Sequence, residues 1–298
     1  MCKIVLILSG LLLLCSCSLT ETTELEVNPK PTLTVSYRYL NKEGVNTTRD
    51  EIRSMSVFVF DPDGRFIAKT EASGHEATDS DGLQLLSGVP AGEYTVVAYA
   101  NVEKLGLPKL VPGESCLIDL MAVDKNRETC SDADRLFHNL TRVKIQREQP
   151  QVRMLDLGKR YFQINLTLTG ADKLNVPPDK IAVLFSGIPA GTDYKGDPVT
   201  AQTVFSPYLD KTPQGFSASF NVYRFGTGDN VKMAVQAGTE TVGPVDLGEY
   251  IARNDIGIDL NNDRDIVLPI DIDVTSVGIT IVINDWDAGA IQLPIVGK

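Results

Sequence analysis

Short runs of alternating apolar and polar residues, cut every few positions by Gly or Pro, commit this chain to β-structure. Leu33, Val35, Tyr37 and Tyr39 fall on one face of a period-two segment, with Thr34, Ser36 and Arg38 on the other. That is the signature of a half-buried strand. Met55–Phe60 and Glu93–Asn101 are apolar on both faces, which predicts central strands. Asp61–Gly64 reads DPDG, a turn in which Pro fixes φ and Gly permits φ > 0. Arg65–Thr70 then returns as the second arm of a hairpin. Further strands are expected at Leu83–Leu86, Cys116–Val123 and Arg142–Gln146, with one turn of helix at Asp132–Phe137 capped by Ser131.

The second half repeats the style. Tyr161–Thr169, Ile181–Ser186, Phe216–Phe225, Val231–Gln236, Ile266–Ile272 and Val277–Trp286 read as strands. Val245–Arg253 suits a short helix. Arg147–Pro150 is polar, contains a breaker and lacks apolar periodicity, so it divides the chain into units at 32–147 and 151–298. Short strands joined by Gly/Pro turns, twice over, predict a mostly β chain of two antiparallel β-sandwiches in tandem. One hexapeptide recurs, SGVPAG at Ser87–Gly92 and SGIPAG at Ser186–Gly191. An old duplication and a chance recurrence of a Gly/Pro turn both account for it.

Ahead of the first strand lies a different kind of segment. Met1–Lys3 is a basic start, and Ile4–Leu14 is apolar except for Ser9 and Gly10. Spanning a bilayer takes about 20 apolar residues, so this run fits the h-region of a secretory signal instead. Leu14-Cys15-Ser16-Cys17 resembles the lipobox of bacterial lipoproteins, which implies that residues 1–16 are removed and that the Cys17 thiol takes a diacylglyceryl group. Cys15 fits worse, because Leu14 would occupy the position before it, where a small side chain is needed. An ordinary signal cut nearby is the alternative. Two or three acyl chains at about 0.8 kcal/mol per buried methylene would hold the protein firmly. Residues 17–31, polar and closed by Pro29 and Pro31, then form a lipidated linker that keeps the body off the membrane.

Charge and composition remove several functional classes. The formal net charge is −11, and loss of Lys3 with the signal makes it about −12. Such a surface repels nucleic acid and anionic headgroups, and no basic stripe offsets it. The chain has only two histidines, His75 and His138, too few for most metal or triad chemistry; His75 lies in a polar loop, and His138 is expected in a surface or capping role. No G-x-S-x-G, P-loop, HExxH or CxxC pattern is present. Asp259, Asn261 and Asp263 imitate the opening of a calcium loop, but its sixth position is Arg264 and its twelfth Ile270, so they read as a polar turn. The sequence therefore predicts no catalytic residues, no metal site and no cofactor. Of the five cysteines, Cys116 and Cys130 remain after the signal and Cys17. An even pair in an oxidising compartment can form a disulfide, and two unpaired thiols are the alternative.

Taken together, these segments resemble a family. The lipobox comes first, then Val57–Asp61 (VFVFD) with Gly64, then Gly88–Asn101 (GVPAGEYTVVAYAN). Asp134–Phe137 (DRLF) follows, and Val277–Trp286 (VGITIVINDW) closes the set. In this order they resemble the fimbrial anchor lipoproteins of type V pili from anaerobic Gram-negative bacteria. The resemblance implies two transthyretin-like, Greek-key β-sandwich domains and no enzymatic activity. It implies a place in the cell outer membrane at the cell surface, and pilin (fimbrillin) partners joined by β-strand exchange. Two segments carry that exchange in this chain. Ile291, Leu293 and Ile295 alternate with Gln292 and Pro294, so Ala290–Val296 suits donation to a neighbour; completion of its own sheet is the alternative. Stalk and tip subunits of the family are clipped after an Arg or Lys beyond the first strand, and Arg49 stands at that position here. A glycan-binding surface lipoprotein would need exposed aromatics, and the one tryptophan, Trp286, reads as core. A secreted glycosidase is a third reading, with no carboxylate pair singled out.

Overall fold

The computed structural model describes residues 32–74, 83–87, 90–124, 133–146, 150–174, 176–200, 204–253, 257–274, 278–283 and 291–294. The first ten strands are β1 (Thr32–Arg38), β2 (Ser54–Phe60), β3 (Phe66–Ser73), β4 (Leu83–Ser87), β5 (Gly92–Ala100), β6 (Leu105–Gly106), β7 (Met121–Asp124), β8 (Phe137–Ile145), β9 (Gln151–Asp156) and β10 (Gly158–Lys159). They form a five-stranded sheet in the order β10-β8-β5-β2-β3 and a three-stranded sheet in the order β4-β1-β9. The doubly apolar segments take the positions that their pattern requires. β2 and β5 lie inside the larger sheet, and both of its faces are covered. Met55, Val57 and Val59 face Leu33, Val35, Tyr37 and Tyr39 of the smaller sheet region. Phe58, Phe60, Val97 and Tyr99 point the other way, beneath Leu105, Leu120, Ala122 and Leu136.

The DPDG hairpin forms as its residues dictate. The Asp61 carboxylate accepts from Asp63 N at 2.9 Å and Arg65 N at 2.8 Å, and Gly64 takes φ +77°. Two sequence expectations are corrected in this half. Cys116–Val123 is not one strand, because Leu117–Asp119 winds into a 3₁₀ turn before β7. Residues 133–136 are not helical, and Phe137 opens a nine-residue strand that takes in Arg142–Ile145 and leaves out Gln146. The polar boundary at 147–150 is followed by strands of the first core: β9 pairs with β1, and Leu155 and Leu157 are buried against Met55 and Val57. Hydrogen bonding thus keeps Gln151–Lys159 with the first unit.

The next twelve strands are β11 (Tyr161–Thr169), β12 (Ile181–Ser186), β13 (Pro189–Asp193), β14 (Pro198–Thr200), β15 (Val204–Phe205), β16 (Asp210–Thr212), β17 (Gly215–Tyr223), β18 (Lys232–Ala237), β19 (Glu240–Asp246), β20 (Val267–Val274), β21 (Gly278–Ile283) and β22 (Ile291–Pro294). A six-stranded sheet runs β16-β17-β11-β20-β21-β22 and a four-stranded one β15-β12-β18-β19. Phe162, Ile164, Leu166 and Leu168 of β11 share one core with Val183, Phe185, Met233 and Val235 of the other sheet. The expected helix is present as Leu247–Arg253.

The chain is mostly β, and its sheets are largely antiparallel. Two pairs are not: β1 with β9 and β11 with β20 run parallel. In each half the opening strand lies between one antiparallel and one parallel neighbour. The recurring hexapeptide also has matching positions, leading from β4 to β5 and from β12 to β13, each time from one sheet to another. One pairing joins the halves directly. β7 pairs with β13 in a four-stranded sheet β14-β13-β7-β6. Gly191 makes that approach feasible, since a Cβ there would lie 1.9 Å from the Ala122 carbonyl oxygen.

Candidate functional site

For a chain whose sequence points to assembly, the informative sites are the strands that could be exchanged. β1 is the middle strand of its sheet, matched to β4 on one side and to β9 over Leu33–Arg38 on the other. Leu33 and Val35 are fully buried, as the period-two pattern demands, and Tyr37 and Tyr39 nearly so. Burial raises the Tyr37 hydroxyl to about 12. At its end, Arg38 Nε pairs with Asp156 Oδ1 at 2.5 Å across the parallel strands. A tight loop follows, in which Tyr39 N donates to Thr48 Oγ1 at 2.8 Å. The loop closes on a short helix, Thr48–Glu51, that carries Arg49 exposed on its surface. The proposed clip position is therefore accessible as a side chain but held in a turn of helix.

This loop is fastened to the second unit by a polar cluster. Asp265 Oδ1 accepts from the Tyr39 hydroxyl at 2.5 Å and pairs with Lys159 Nζ at 2.5 Å, while Asp265 Oδ2 accepts from Lys42 N at 2.8 Å. Lys159 Nζ also lies 3.5 Å from Glu51 Oε1 and over the rings of Tyr39 and Tyr161, 5.1 and 5.4 Å from their centroids. Each ionised group is stabilised by the others. Burial alone would lower the Lys159 pKa, but the Asp265 hydrogen bond and the neighbouring negative groups outweigh it, and the net shift is upward. Burial likewise opposes ionisation of Asp265, yet hydrogen bonds from Lys159 and Tyr39 take its pKa below the usual carboxylate range. Burial first, then the hydrogen bond to Asp265, drives the Tyr39 hydroxyl far upward, so it stays protonated as a donor. Lys159 joins β10 to this cluster, and Asp265 stands just before β20. The cluster thus ties the loop after β1 to both halves.

Sequence reasoning missed Asp265, Lys159 and Glu51. Asp265 is one acid in a polar run, and its partner Tyr39 is 226 positions away. No local pattern marks such a contact. The run itself behaves as the expected polar turn: the Asp259 carboxylate accepts from Asn261 N, Asn262 N and Asn262 Nδ2. Among the described residues, no cluster of three or more His, Cys, Asp or Glu side chains is placed to hold a metal.

At the other end, β22 pairs antiparallel with β21, Ile291 opposite Ile281 and Leu293 opposite Ile279. In this chain it completes its own sheet and forms its edge. Ile295 lies outside the described residues, as do Cys17, Cys130, His75 and Trp286. Cys116 is exposed on the 3₁₀ turn before β7. His138 departs from its expected surface role. It sits in β8, 2% exposed, with Nε2 2.9 Å from the Tyr194 carbonyl oxygen and its ring against Tyr99. Burial, and secondarily the charge of Arg160, pull its pKa down to about 3.

The comparisons with known proteins now have a geometry to attach to. A family model described as fimbrillin-A associated anchor proteins Mfa1 and Mfa2 matches residues 25–288. Among solved structures, the fimbrial anchor protein Mfa2 from Porphyromonas gingivalis is 14% identical, with a TM-score of 0.68 over 88% of this chain and 99% of that one. A protein from Bacteroides ovatus provisionally described as an adhesin is 17% identical, TM-score 0.73, over 89% of this chain and 97% of the other. Another from Bacteroides thetaiotaomicron, provisionally described as polysaccharide-binding, is 17% identical, TM-score 0.72, over 88% and 98%. At these identities the structural likenesses establish the fold. None of the curated proteins matches.

Proposed function

Because the chain belongs to the family of fimbrillin-A associated anchor proteins Mfa1 and Mfa2, we propose that it is the lipid-anchored base of a cell-surface fimbria. The family is one of fimbrial structural proteins. Among the described residues no helix is long and apolar enough to cross a membrane. In the proposed arrangement, acylated Cys17 holds the chain in the outer membrane, residues 17–31 act as the linker, and the load enters the body through β1.

The single observation that carries this reading is the way β1 is held. Its two paired neighbours, its three buried apolar side chains and the Asp265 cluster beyond it make it a poor strand to discard. Full burial of each large side chain contributes roughly 1.5–3 kcal/mol before ordering costs. An anchor needs that strand in place, because the lipid is attached to it. β22 has the opposite character. It is four residues long and pairs on one side only, so leaving its sheet sacrifices few main-chain hydrogen bonds. We assign residues 290–296 as the segment donated to the next pilin, with Ile291, Leu293 and Ile295 filling its groove.

Intact mass and N-terminal mapping of the protein from native outer membranes test the first half of the reading. A chain beginning at acylated Cys17 is the expected result. A chain beginning at Asp50 without lipid would mean cleavage after Arg49 and a stalk or tip subunit instead. Deleting residues 290–296 tests the second half: fimbriae should be shed while the body keeps its thermal transition. Unchanged attachment, or loss of the fold, would refute donation.

A further inference from the structure

A second kind of site lies in the second half, at one end of the β11–β17 pair. Arg160 and Arg224 leave β11 and β17 at the same end, beyond the paired Tyr161 and Tyr223, and Arg224 N donates to Arg160 O at 2.9 Å. Both guanidinium side chains line a cavity of about 370 Å³, within the range of roughly 300–1,000 Å³ common for small-molecule sites. Asp197, Asp229, Thr227 and Asn261 complete its polar wall.

Two features make this more than a surface dimple. The chain carries 39 acidic residues against 28 basic ones. Even so, neither arginine forms an ion pair within 4 Å among the described residues. Arg160 Nε and one terminal nitrogen of Arg224 are buried with no acceptor. A buried cationic donor without a partner is costly, and two side by side compound the cost. Burial depresses the pKa of both, and for Arg224 the charge of Arg160 adds to it. Arg224 is nevertheless fixed in direction, donating from Nε to Leu260 O at 2.9 Å and lying over the Phe162 ring. Gly196 packs closely against Arg160, since a Cβ there would stand 2.6 Å from Arg160 Nε.

The nearby carboxylates, Asp197 and Asp193 at Arg160 and Asp259 and Asp263 at Arg224, oppose the effect of burial by their charge but form no ion pair with either arginine. Asp193 accepts from Lys195 N and Asp197 N, Asp259 is spent on its own turn, and Asp229 accepts from Gly226 N at 2.5 Å. Their charge also shapes what can enter. Two guanidinium groups match one carboxylate, whose paired oxygens suit the planar donor fork. The acids Asp197 and Asp229 would repel a polyanion, while with Asn261 they suit hydroxyl groups. We infer that the cavity between Arg160 and Arg224 binds a monocarboxylate sugar acid, with its carboxylate on the two arginines and its hydroxyls on the opposite wall. The site is independent of the anchoring role.

Titration calorimetry of the full mature chain with D-glucuronate, D-glucose, acetate and sulfate tests the inference. D-Glucuronate should bind, D-glucose should not, and acetate and sulfate should bind at least about tenfold more weakly. Arg224→Gln and Arg160→Gln should each weaken glucuronate by about tenfold or more, the scale of one lost charged hydrogen bond. Melting curves establish that each variant folds. If either does not, Asn261→Ala at the exposed rim replaces it, with a loss of about threefold or more. Absence of glucuronate binding overturns the site. Equal binding of acetate and glucuronate, or binding unaffected by every folded variant, overturns the assignment of a sugar acid.

Discussion

Replacing Asp265 by Ala removes one carboxylate and disturbs three partners at once. The Tyr39 hydroxyl, on a side chain 1% exposed, loses its 2.5 Å acceptor. A buried hydroxyl left without an acceptor costs about 1–3 kcal/mol. Lys159 loses its 2.5 Å partner but keeps Glu51 at 3.5 Å and two ring faces. Its side chain and that of Asp265 are 14% and 17% exposed, so the loss lies below the 3–5 kcal/mol of a fully buried pair. Lys42 N is on the surface and turns to water at little cost. The sum is about 3 kcal/mol, which for a chain of this size lowers the melting temperature by roughly 5 °C. Tyr39→Phe alone should cost about 1 kcal/mol, and the double variant should fall short of additivity by a similar amount. The functional counterpart uses a specific protease site placed after Arg49. Once cut, the parent should retain its N-terminal fragment through size-exclusion chromatography, and the Asp265→Ala protein should release it. A change below about 0.5 kcal/mol, or strict additivity with Tyr39→Phe, would refute the claim that this cluster fastens the loop.

Three further outcomes follow from the packing and the charges. His138 is held neutral, with its folded pKa pulled below the unfolded value, so no cost arises above about pH 6.5. As pH falls, the unfolded chain takes up a proton that the folded one refuses, and by pH 4.5 stability should drop about 2–3 kcal/mol. Denaturant midpoints measured across that range should lose this slope in His138→Gln, although Asp134, whose pKa burial raises, acts in the opposite sense. Ile164→Ala, at a fully buried position of β11, should cost about 2–5 kcal/mol by urea titration. Gly191→Ala forces a Cβ against the Ala122 carbonyl and should destabilise the β7–β13 pairing by about 2 kcal/mol or more, read as faster amide exchange in both strands.

How much of this could be read from the sequence depends on how far each interaction reaches. Period-two faces such as Leu33–Tyr39 and Phe216–Val222, the DPDG turn and the doubly apolar β2 and β5 are properties of consecutive residues, and they were legible. β9 was not: Val152 and Met154 are exposed and only Leu155 is buried, so Gln151–Asp156 carries no apolar alternation. It is a strand because β1 offers it an edge. Residues 133–137 begin like a helix but are drawn into extended chain by tertiary contacts: Ala133 N donates to Asn221 O in the other half, and Phe137 packs on Tyr39. His138 read as a surface or capping residue because it follows a possible helix, while the residues that bury it come from far along the chain, Tyr99 from β5 and Tyr194 from the turn after β13. The parallel pairings escaped for the same reason. A chain can show where its strands are without showing which of them meet.

That distinction bears on the anchor itself. Exposure of Arg49 is a local property, and on its own it equally suits a subunit whose first strand is cut away. What separates the two fates is long-range. If β1 were held only by its sheet, cleavage of the 48–51 helix would leave a strand free to be displaced by an incoming one of better fit. Asp265 alters that competition, because the loop after β1 is bonded to the second unit and not only to the sheet that a rival strand would enter. A displacing strand would have to replace the three buried apolar side chains of β1 and would still leave Tyr39 and Lys42 attached elsewhere. In the proposed anchoring arrangement, retention of the lipid would depend on a contact between residues 226 positions apart, and a stalk subunit built on the same fold would be expected to lack an acid at that position.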